Sequence, residues 1–235
     1  MRFTLQGSGE PIDFAPERVV IAGYTGRNQE ETRAHIRELE RQGIPPPAEI
    51  PTIFRTTLDR LTSDREIEVV GSRTAGEAEV VLLVKGENLW IAVGSDHTDR
   101  ELEKLDIPAS KQVCPKPVSN EVWNYADVRE RWDDLILRSW VGDNGGEELY
   151  QQGRMAALLR PEDLLKLLKG RLGGLIDRAA VYTGTIPLIT GKFTDKAYFI
   201  AELRDEATDR SLRCAYRVRS IDRRDDLSKV KGEAG

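Results

Sequence analysis

The segment that organises the chain runs from Gly94 to Lys111 and reads GSDHTDRELEKLDIPASK. It follows an apolar run, LWIAVG, that is typical of a β-strand, so Asp96 comes where a chain leaving a sheet presents polar side chains. Glu77 and Glu79 open another predicted strand, and residues two apart in a strand share a face. Two such carboxylates and a third from a neighbouring strand end suit a hard divalent cation, which prefers oxygen ligands. We therefore hypothesise that the chain is built around a metal site formed by Glu77, Glu79 and Asp96.

The composition is that of a globular protein. The chain has 235 residues, of which 39% are hydrophobic and 32% are charged, and this length can bury a substantial core. The net charge of −5 argues against sequence-independent binding of nucleic acids, because such binding depends on clustered basic residues. The first residues lack the apolar core of a signal peptide, and no apolar run approaches the roughly 18 residues of a membrane span. Cys114 and Cys214 are expected to be reduced thiols, so we predict a cytoplasmic protein without a membrane partner.

Alternating and β-branched runs predict strands over much of the chain. The predicted strands span residues 2–6, 18–22, 52–56, 67–70, 79–84, 89–94, 134–141, 147–151, 179–182, 197–203 and 211–220. A helix is predicted for residues 29–42, after Asn28 as the N-cap, and a second one begins at Pro161. Helices and strands do not alternate regularly, which argues against a doubly wound parallel sheet. The predicted fold class is α+β and predominantly β.

The predicted organisation of the chain has three parts. Residues 1–15 would form an N-terminal strand or appendage, set off by Pro11 and Pro16. Residues 16–221 would form a single domain, and no internal repeat interrupts them. Residues 222–235 are dense in charge and would form a flexible tail.

Each candidate ligand also has a simpler structural interpretation. Solvent-facing strands often carry alternating acids, and Glu66 and Glu68 form a second such pair in this chain. An aspartate such as Asp96 often forms a turn, and an isolated lysine such as Lys111 is usually solvated. Residue types alone leave both the metal site and these structural roles open.

The two histidines and one turn are further candidates. His35 and Glu38 lie three residues apart on the predicted helix, so the carboxylate could orient the imidazole as a general base. A lone histidine on a helix is, however, more often a surface or packing residue. His97 follows Asp96 and is a candidate for orienting the metal ligands. The turn Thr183-Gly184-Thr185 is either a simple tight turn or a source of N–H groups and hydroxyls for a carboxylate.

Several motifs of other enzyme classes are missing from the sequence. There is no glycine-rich loop ending in Lys-Ser/Thr, no dinucleotide-binding fingerprint and no nucleophile elbow. The 2 histidines and 2 cysteines do not form a zinc pattern, and so few histidines exclude a metal site built from several of them. Any metal site in this chain must therefore be built mainly from carboxylates.

Taken in order, these fragments resemble the fumarylacetoacetate hydrolase family. The matching fragments are Gly26-Arg27-Asn28, His35-Ile36-Arg37-Glu38, Pro51-Thr52-Ile53-Phe54-Arg55, Glu77-Ala78-Glu79, Ser95-Asp96-His97-Thr98-Asp99-Arg100, Lys111 and Thr183-Gly184-Thr185-Ile186-Pro187. Their shared order, from about Val19 to Ser220, is more specific than any one fragment. More narrowly, the segments GRNQEETRAHIRELERQGIPPP, GSDHTDRELE and SKQVCPKP resemble a bacterial branch of that family known as a domain of unknown function.

The resemblance implies a fold, a cofactor and a class of reaction. The fold would be a mixed β-sandwich roll with a few flanking helices, commonly assembled as a homodimer. Glu77, Glu79 and Asp96 would hold a divalent cation, usually Mg²⁺ or Mn²⁺, with Ca²⁺ as a further candidate. Members of the family cleave or decarboxylate small oxo acids. We therefore expect a metal-dependent hydrolase that breaks a C–C bond in an acylpyruvate-like or other 2-oxo acid.

The resemblance also implies roles for other residues. Lys111 would stabilise negative charge on the substrate, and His35, oriented by Glu38, would activate water. The substrate would be held by six residues, namely Tyr24, Arg27, Arg55, Thr183, Gly184 and Thr185.

The chain departs from the family pattern at several positions. Glu79 and Asp96 are closer in sequence than their counterparts, and His35 comes several residues later than expected. Arg55 replaces a lysine, and Ile186 separates the threonine from the proline of the turn. These changes keep two alternatives open. One is a decarboxylase, tautomerase or isomerase that uses the same metal, and the other is a non-catalytic protein that binds a metal–carboxylate ligand.

Overall fold

The structure is a computed structural model that describes residues 1–41, 46–143 and 146–221. The side chains of His35, Glu38 and Leu39 lie outside the described part, and so does the predicted tail of residues 222–235. Within the described ranges, every helix is too short or too polar to cross a membrane.

Strands dominate the fold, as the sequence predicts. They account for 46% of the structure and helices for 25%, which confirms the α+β, predominantly β class. The strands are β1 (Arg2–Leu5), β2 (Pro11–Asp13), β3 (Arg18–Gly23), β4 (Thr52–Thr56), β5 (Leu61–Thr62), β6 (Glu66–Val69), β7 (Thr74–Ala75), β8 (Ala78–Lys85), β9 (Asn88–Ser95), β10 (Thr98–Asp99), β11 (Lys116–Pro117), β12 (Glu121–Asn124), β13 (Ile136–Asp143), β14 (Gly146–Arg154), β15 (Ala179–Thr185), β16 (Tyr198–Asp205) and β17 (Arg210–Ser220).

The helices are short apart from two. They are α1 (Gln29–Arg41), α2 (Arg100–Glu103), α3 (Ile107–Gln112), α4 (Tyr125–Val128) and α5 (Pro161–Leu172). Short 3₁₀ turns span Leu58–Arg60, Arg129–Asp134, Met155–Ala157 and Gly173–Ile176. The strand predicted from residue 134 therefore begins later, at Ile136, because a 3₁₀ turn occupies its first position.

Two main sheets pack on a shared core. The larger sheet has the strand order β2-β1-β12-β9-β8-β15-β3-β4, and the smaller one has the order β14-β13-β16-β17-β6. Leu82 and Val93 of the larger sheet join Leu203 of the smaller sheet and Leu164 of α5 in one buried cluster. A second cluster, which includes Val81, covers the other face of the larger sheet. Because β8 is buried on both faces, its sequence is continuously apolar from Val80 to Val84 rather than alternating.

The first fifteen residues, for which the sequence predicts an N-terminal strand or appendage, contribute strands β1 and β2 to the larger sheet. Strand β1 pairs with β12 in parallel and with β2 in antiparallel orientation. Phe3 and Phe14 are each 1% exposed and belong to the second buried cluster. These two aromatic side chains anchor the segment to the sheet, and the domain boundary after residue 15 stays a prediction.

The hairpin of β8 and β9 positions the predicted site. Register pairs Ala78 with Ser95 and Glu79 with Gly94, so the start of one strand lies beside the end of the other. Gly94 is required there because an added Cβ would lie 2.4 Å from the carbonyl oxygen of Pro117. After β9, the acidic loop is fixed by its own caps: Asp99 accepts hydrogen bonds at the start of α2, and Asp106 does so at the start of α3.

Candidate metal centre

Three carboxylates meet at the end of the β8–β9 hairpin. The backbone N–H of Asp96 donates to the carbonyl of Glu77 at 3.0 Å, which extends the hairpin ladder beyond the strand ends. One oxygen from each of Glu77, Glu79 and Asp96 lies within 4.8 Å of the other two. The structure thus brings together the three residues that the sequence suggested as metal ligands.

The second acidic pair of the sequence behaves differently. Glu66 and Glu68 lie on β6, at the edge of the smaller sheet, and both are exposed. Each forms an ion pair with Arg219 on the neighbouring strand β17. Glu66 and Glu68 are therefore solvent-facing acids of an edge strand. They serve as a control for the pair formed by Glu77 and Glu79.

Burial makes the charge on the acidic cluster costly. Glu79 is 3% exposed and Asp96 is 0% exposed. Burial, followed by repulsion from Asp96 and Glu77, raises the pKa of Glu79 well above its usual value. Burial also raises the pKa of Glu77, although Arg100 and Lys111 oppose the change. A divalent cation among the three would supply positive charge, and an all-oxygen donor set suits Mg²⁺, Mn²⁺ or Ca²⁺. The residues present therefore fit such an ion.

Two lysines bind the two oxygens of Asp96. Lys111 Nζ donates to Oδ2, and Lys116 Nζ lies 3.1 Å from Oδ1. Burial alone would raise the pKa of Asp96, but the two lysines outweigh it and hold that pKa below its ordinary value. Burial would likewise lower the pKa of Lys111, but Asp96 and the nearby glutamates raise it, so Lys111 stays charged. For Lys116, burial dominates and lowers the pKa.

Arg100 orients Glu77 from the side opposite the cluster. Its Nη2 lies 3.4 Å from Glu77 Oε2, and its Nη1 donates to Glu103 at 2.8 Å. The guanidinium also lies over the ring of Phe193, 3.7 Å from the centroid. Burial would lower the pKa of Arg100, but Glu77 and Glu103 raise it above the ordinary value. A permanently charged fork thus fixes the first of the three carboxylates.

His97 does not contact the carboxylate of Asp96 with its ring. Its Nδ1 lies 3.0 Å from Tyr216 Oη, and its Nε2 lies 2.9 Å from Thr74 Oγ1. Burial, with Lys116 and Arg100 next, lowers the pKa of His97 to about 3, so the ring is neutral. The ring instead lies between Thr74 and Tyr216 and packs edge-on against the Tyr216 ring, so tertiary packing turns it away from Asp96. Only the backbone of His97 supports the site, since its carbonyl accepts a hydrogen bond from Lys116.

The turn Thr183-Gly184-Thr185 serves the protein itself rather than an open pocket. The N–H of Gly184 donates to Glu79 Oε2 at 2.8 Å. The hydroxyls of Thr183 and Thr185 donate to the carbonyls of Val80 and Ala78 on β8. The hydrogen bond from Gly184 fixes the carboxylate of Glu79, and those from the two threonines anchor the turn to β8. The donors that the sequence suggested for a substrate carboxylate are therefore already paired within the protein.

Gln151 connects the smaller sheet to this turn. It is fully buried, and its Oε1 accepts from the N–H of Ala78 at 2.9 Å and from Ser139 Oγ at 2.8 Å. Its Nε2 donates to Thr185 Oγ1 at 2.8 Å and to the carbonyl of Ile186 at 2.6 Å. One amide thereby ties β14 to the start of β8 and to the end of β15, where the acidic cluster lies.

Replacing Gly184 with Ala is expected to destabilise the fold by about 3 kcal/mol. Gly184 has φ of +91°, and an added Cβ would lie 2.2 Å from Thr25 Oγ1, which donates to the carbonyl of Thr183. Denaturant unfolding measures the loss. Gly191 is the matched control, since it has φ of +67° but open space around its Cα, so Gly191→Ala is expected to cost only about 1 kcal/mol. Equal losses in the two variants would contradict the close approach at Gly184.

A groove opens beside the acidic cluster. Its volume is about 320 Å³, and its apolar lining consists of Pro46, Pro47, Phe54, Leu105, Ile107 and Pro108. Lys111 Nζ lies 5.5 Å from the centroid of the Phe54 ring, which joins the groove to the cluster. Tyr24 also lines it, and burial and then Glu103 raise the pKa of the Tyr24 hydroxyl. Of the residues suggested for substrate binding, Tyr24 therefore lies where a ligand of the metal could reach it.

The two arginines suggested for substrate binding lie elsewhere. Arg55 is exposed on β4 and projects to the face opposite Phe54, because neighbouring residues in a strand alternate. Arg27 donates two hydrogen bonds to Asp133, at 2.9 and 2.8 Å, and a third to the carbonyl of Leu158. Neither is placed with the acidic cluster. His35 and Glu38 lie on α1, but their side chains are outside the described residues.

Three site residues were missed by the sequence analysis. Lys116 and Arg100 lie in fragments that the sequence analysis matched to the family, but it gave them no role. Gln151 was identified only as the last residue of a predicted strand. A lysine between two prolines, Cys-Pro-Lys-Pro, was the one available signal for Lys116, because such an extended and rigid stretch cannot form a solvated helix face. No local pattern marked Gln151.

Comparison with known proteins places the chain among solved structures of one fold. A putative fumarylacetoacetate hydrolase family protein from Yersinia pestis CO92 matches with a TM-score of 0.65 and 18% identity, over 93% of this chain and 100% of that one. A 2-keto-3-deoxy-D-arabinonate dehydratase, complexed with magnesium and 2,5-dioxopentanoate, matches with a TM-score of 0.63 and 19% identity, over 87% of this chain and 73% of that one.

A third solved structure has the same fold. Maleylpyruvate hydrolase from Sphingobium sp. SYK-6, in complex with manganese(II) and pyruvate, matches with a TM-score of 0.58 and 15% identity, over 87% of this chain and 71% of that one. No curated protein matches the sequence. The structural neighbours confirm the resemblance to the fumarylacetoacetate hydrolase family. The family model described as a protein of unknown function, DUF2848, matches residues 22–216, and the chain belongs to that family.

Proposed function

We propose that this protein is a divalent-metal-dependent enzyme that hydrolyses a C–C bond in a small, acylpyruvate-like 2-oxo acid. The observation that carries the proposal is the convergence of three carboxylates, Glu77, Glu79 and Asp96, at a buried point beside the charged Lys111. Buried acids with raised pKa values are costly to keep, and such clusters concentrate at functional sites. A small ligand would approach this point from the groove, whose Phe54 ring lies 5.5 Å from Lys111 Nζ.

The ligands of two fold neighbours support the choice of substrate. One neighbour is complexed with magnesium and 2,5-dioxopentanoate, and the other with manganese(II) and pyruvate. Both organic ligands carry a carboxylate next to a 2-oxo group, which is a bidentate chelator for a hard cation. We extend this chemistry to the present chain because its cluster offers three carboxylate oxygens, the ligand type that such a cation prefers.

The residues of the site would have separate roles in binding the metal and the substrate. Glu77, Glu79 and Asp96 would hold the ion, with Arg100 and the N–H of Gly184 fixing the two glutamates. A bound divalent cation would supply Lewis-acid polarisation of the 2-oxo group. Lys111 lies between the cluster and the groove, so its ammonium would stabilise negative charge that develops on the substrate.

The proposed hydrolysis also needs an activated water. We assign this task to His35, oriented by Glu38, on the ground that the two lie three residues apart on α1. Tyr24, which precedes α1 and lines the groove, would offer its hydroxyl to the substrate. Assembly as a homodimer stays a prediction from the family resemblance.

Calorimetry with metal-stripped protein tests the proposal. We expect Mg²⁺ and Mn²⁺ to bind, and oxalate, a mimic of the chelating head of the substrate, to strengthen metal binding by at least about tenfold. A panel of acylpyruvates would then be screened for release of pyruvate. Absence of metal binding with and without oxalate would contradict the proposed function. Metal and oxalate binding without turnover of any oxo acid would favour the ligand-binding alternative.

A further inference from the structure

The groove beside the acidic cluster is the feature of the structure that bears on the choice of substrate. It shares three residues with the surroundings of the cluster: Phe54 lies near Lys111, Glu103 binds Arg100, and the Tyr24 hydroxyl is influenced by Lys111 and Glu77. A 2-oxo acid that chelates a metal at the cluster has only one end free. The groove is the adjoining space into which that free end can extend.

The walls of the groove are mainly apolar. Phe54 lies over Gly23 of β3, where an added Cβ would meet the ring at 3.2 Å, so the backbone leaves room for this aromatic side chain. Leu105, which also lines the groove, is 84% exposed, so its apolar side chain is open to a ligand in the groove. The volume of about 320 Å³ exceeds the roughly 150 Å³ that suffices for benzene in a protein cavity. A branched alkyl or aryl group fits this space.

The charges in the groove oppose a second carboxylate. Its ionisable acids are Glu103 and Asp106, and no lysine or arginine belongs to its lining among the described residues. The cations nearby are directed to the cluster and to the head of the substrate: Arg100 binds Glu77 and Glu103, and Lys111 binds Asp96 and would serve the metal-bound head rather than the tail. A distal carboxylate would lie beside Glu103 and Asp106 without a cationic partner in the lining, and this repulsion disfavours it relative to a neutral group.

We infer that the substrate is a monocarboxylic 2-oxo acid whose free end is neutral and apolar, with the size of a branched alkyl or phenyl group. The inference rests on the proposed function, because it assumes that the head of the substrate is held at the metal centre. It narrows the substrate class beyond the acylpyruvate-like acids in general, since it excludes acids with a second carboxylate at the free end.

The test measures the affinities of an isosteric pair by calorimetry on magnesium-loaded protein. 5-Methyl-2-oxohexanoate and 2-oxoglutarate have the same length and shape, but the first ends in an isopropyl group and the second in a carboxylate. We expect the neutral acid to bind at least about tenfold more tightly than 2-oxoglutarate and than pyruvate, which has no tail. Oxalate serves as the reference ligand for the metal centre itself.

Variants of the groove sharpen the test. Phe54→Ala, or Phe54→Leu if the first variant does not fold, is expected to narrow the preference for the neutral acid over pyruvate to about threefold or less. Asp106→Asn keeps the N-cap of α3 but removes one charge, so it is expected to improve binding of 2-oxoglutarate. Leu58→Ala, at a residue that is 45% exposed and outside the groove, is the matched control and should alter none of these affinities.

The outcomes separate this inference from the function on which it rests. If oxalate binds the metal-loaded protein but the two isosteric acids bind equally, the inference is overturned and the proposed function stands. Tighter binding of 2-oxoglutarate than of its neutral isostere would overturn it as well. If the metal-loaded protein does not bind oxalate, both the function and the inference fail.

Discussion

Replacing Glu79 with Gln is expected to weaken the binding of Mg²⁺ and Mn²⁺ by more than about a hundredfold, while the protein remains folded. Glu79 is more deeply buried than Glu77 and accepts a hydrogen bond from the N–H of Gly184. Burial raises its pKa most, and repulsion from Asp96 and Glu77 then raises the pKa more than attraction by Lys111 lowers it. The negative charge of Glu79 would therefore be stabilised mainly by a bound metal ion. The glutamine side chain has the same shape and retains an oxygen that accepts from Gly184, so the local hydrogen bond survives.

Calorimetric titration of the stripped variant measures this loss, and denaturant unfolding checks the fold. The matched control is Glu68→Gln, which removes the same charge from an exposed strand position. It is expected to leave metal affinity unchanged, because Glu68 pairs with Arg219 at the edge of the smaller sheet. If Glu79→Gln retained full metal affinity, the ligand assignment would be wrong. The metal-free variant is expected to be as stable as the parent or more so, since it lacks a buried charge.

The carboxylate cluster could be predicted because short-range rules place it. The alternation of strand residues sets Glu77 and Glu79 on one side, and a tight hairpin of four residues, Lys85 to Asn88, brings Asp96 back beside them. Both rules depend only on neighbouring sequence. The same rules could not separate this pair from Glu66 and Glu68, whose pattern is identical but whose strand lies at a sheet edge.

The remaining parts of the centre depend on contacts between distant segments. Gln151 reaches β8 across 73 positions of the chain, and His97 finds Tyr216 across 119 positions. The sequence analysis placed His97 by its neighbour Asp96, whereas tertiary packing turns the ring toward β17. Likewise, the sequence left open whether the turn at Gly184 is a simple tight turn or a donor to a substrate carboxylate, and in the structure its N–H donates to Glu79. Composition and periodicity carry no information on which partner a buried donor will meet.

The two lysines on Asp96 are expected to have different functions. Lys116 is completely buried and also donates to the carbonyl of His97, whereas Lys111 is 7% exposed and lies near the Phe54 ring at the groove. We expect Lys116→Met to lower the free energy of unfolding by about 3–5 kcal/mol, even with saturating Mg²⁺. The substitution leaves a buried carbonyl and one carboxylate oxygen of Asp96 without their donor. Lys104→Met, at an exposed lysine on the same loop, is the control and should cost less than about 0.5 kcal/mol.

Lys111→Met is expected to show the opposite balance. Because Lys111 is slightly exposed and Lys116 would still pair with Asp96, the loss of Lys111 should cost only about 1–2 kcal/mol of stability in the metal-loaded protein. The affinity for oxalate should fall by about a hundredfold, because Lys111 is the charged donor placed to meet negative charge on a ligand. Parallel denaturant unfolding and oxalate titration of both variants decide the assignment. If Lys116→Met mainly lost oxalate affinity and Lys111→Met mainly lost stability, the assignment would be wrong. Lys116 would then be the lysine that acts on the substrate, and Lys111 would be the structural one.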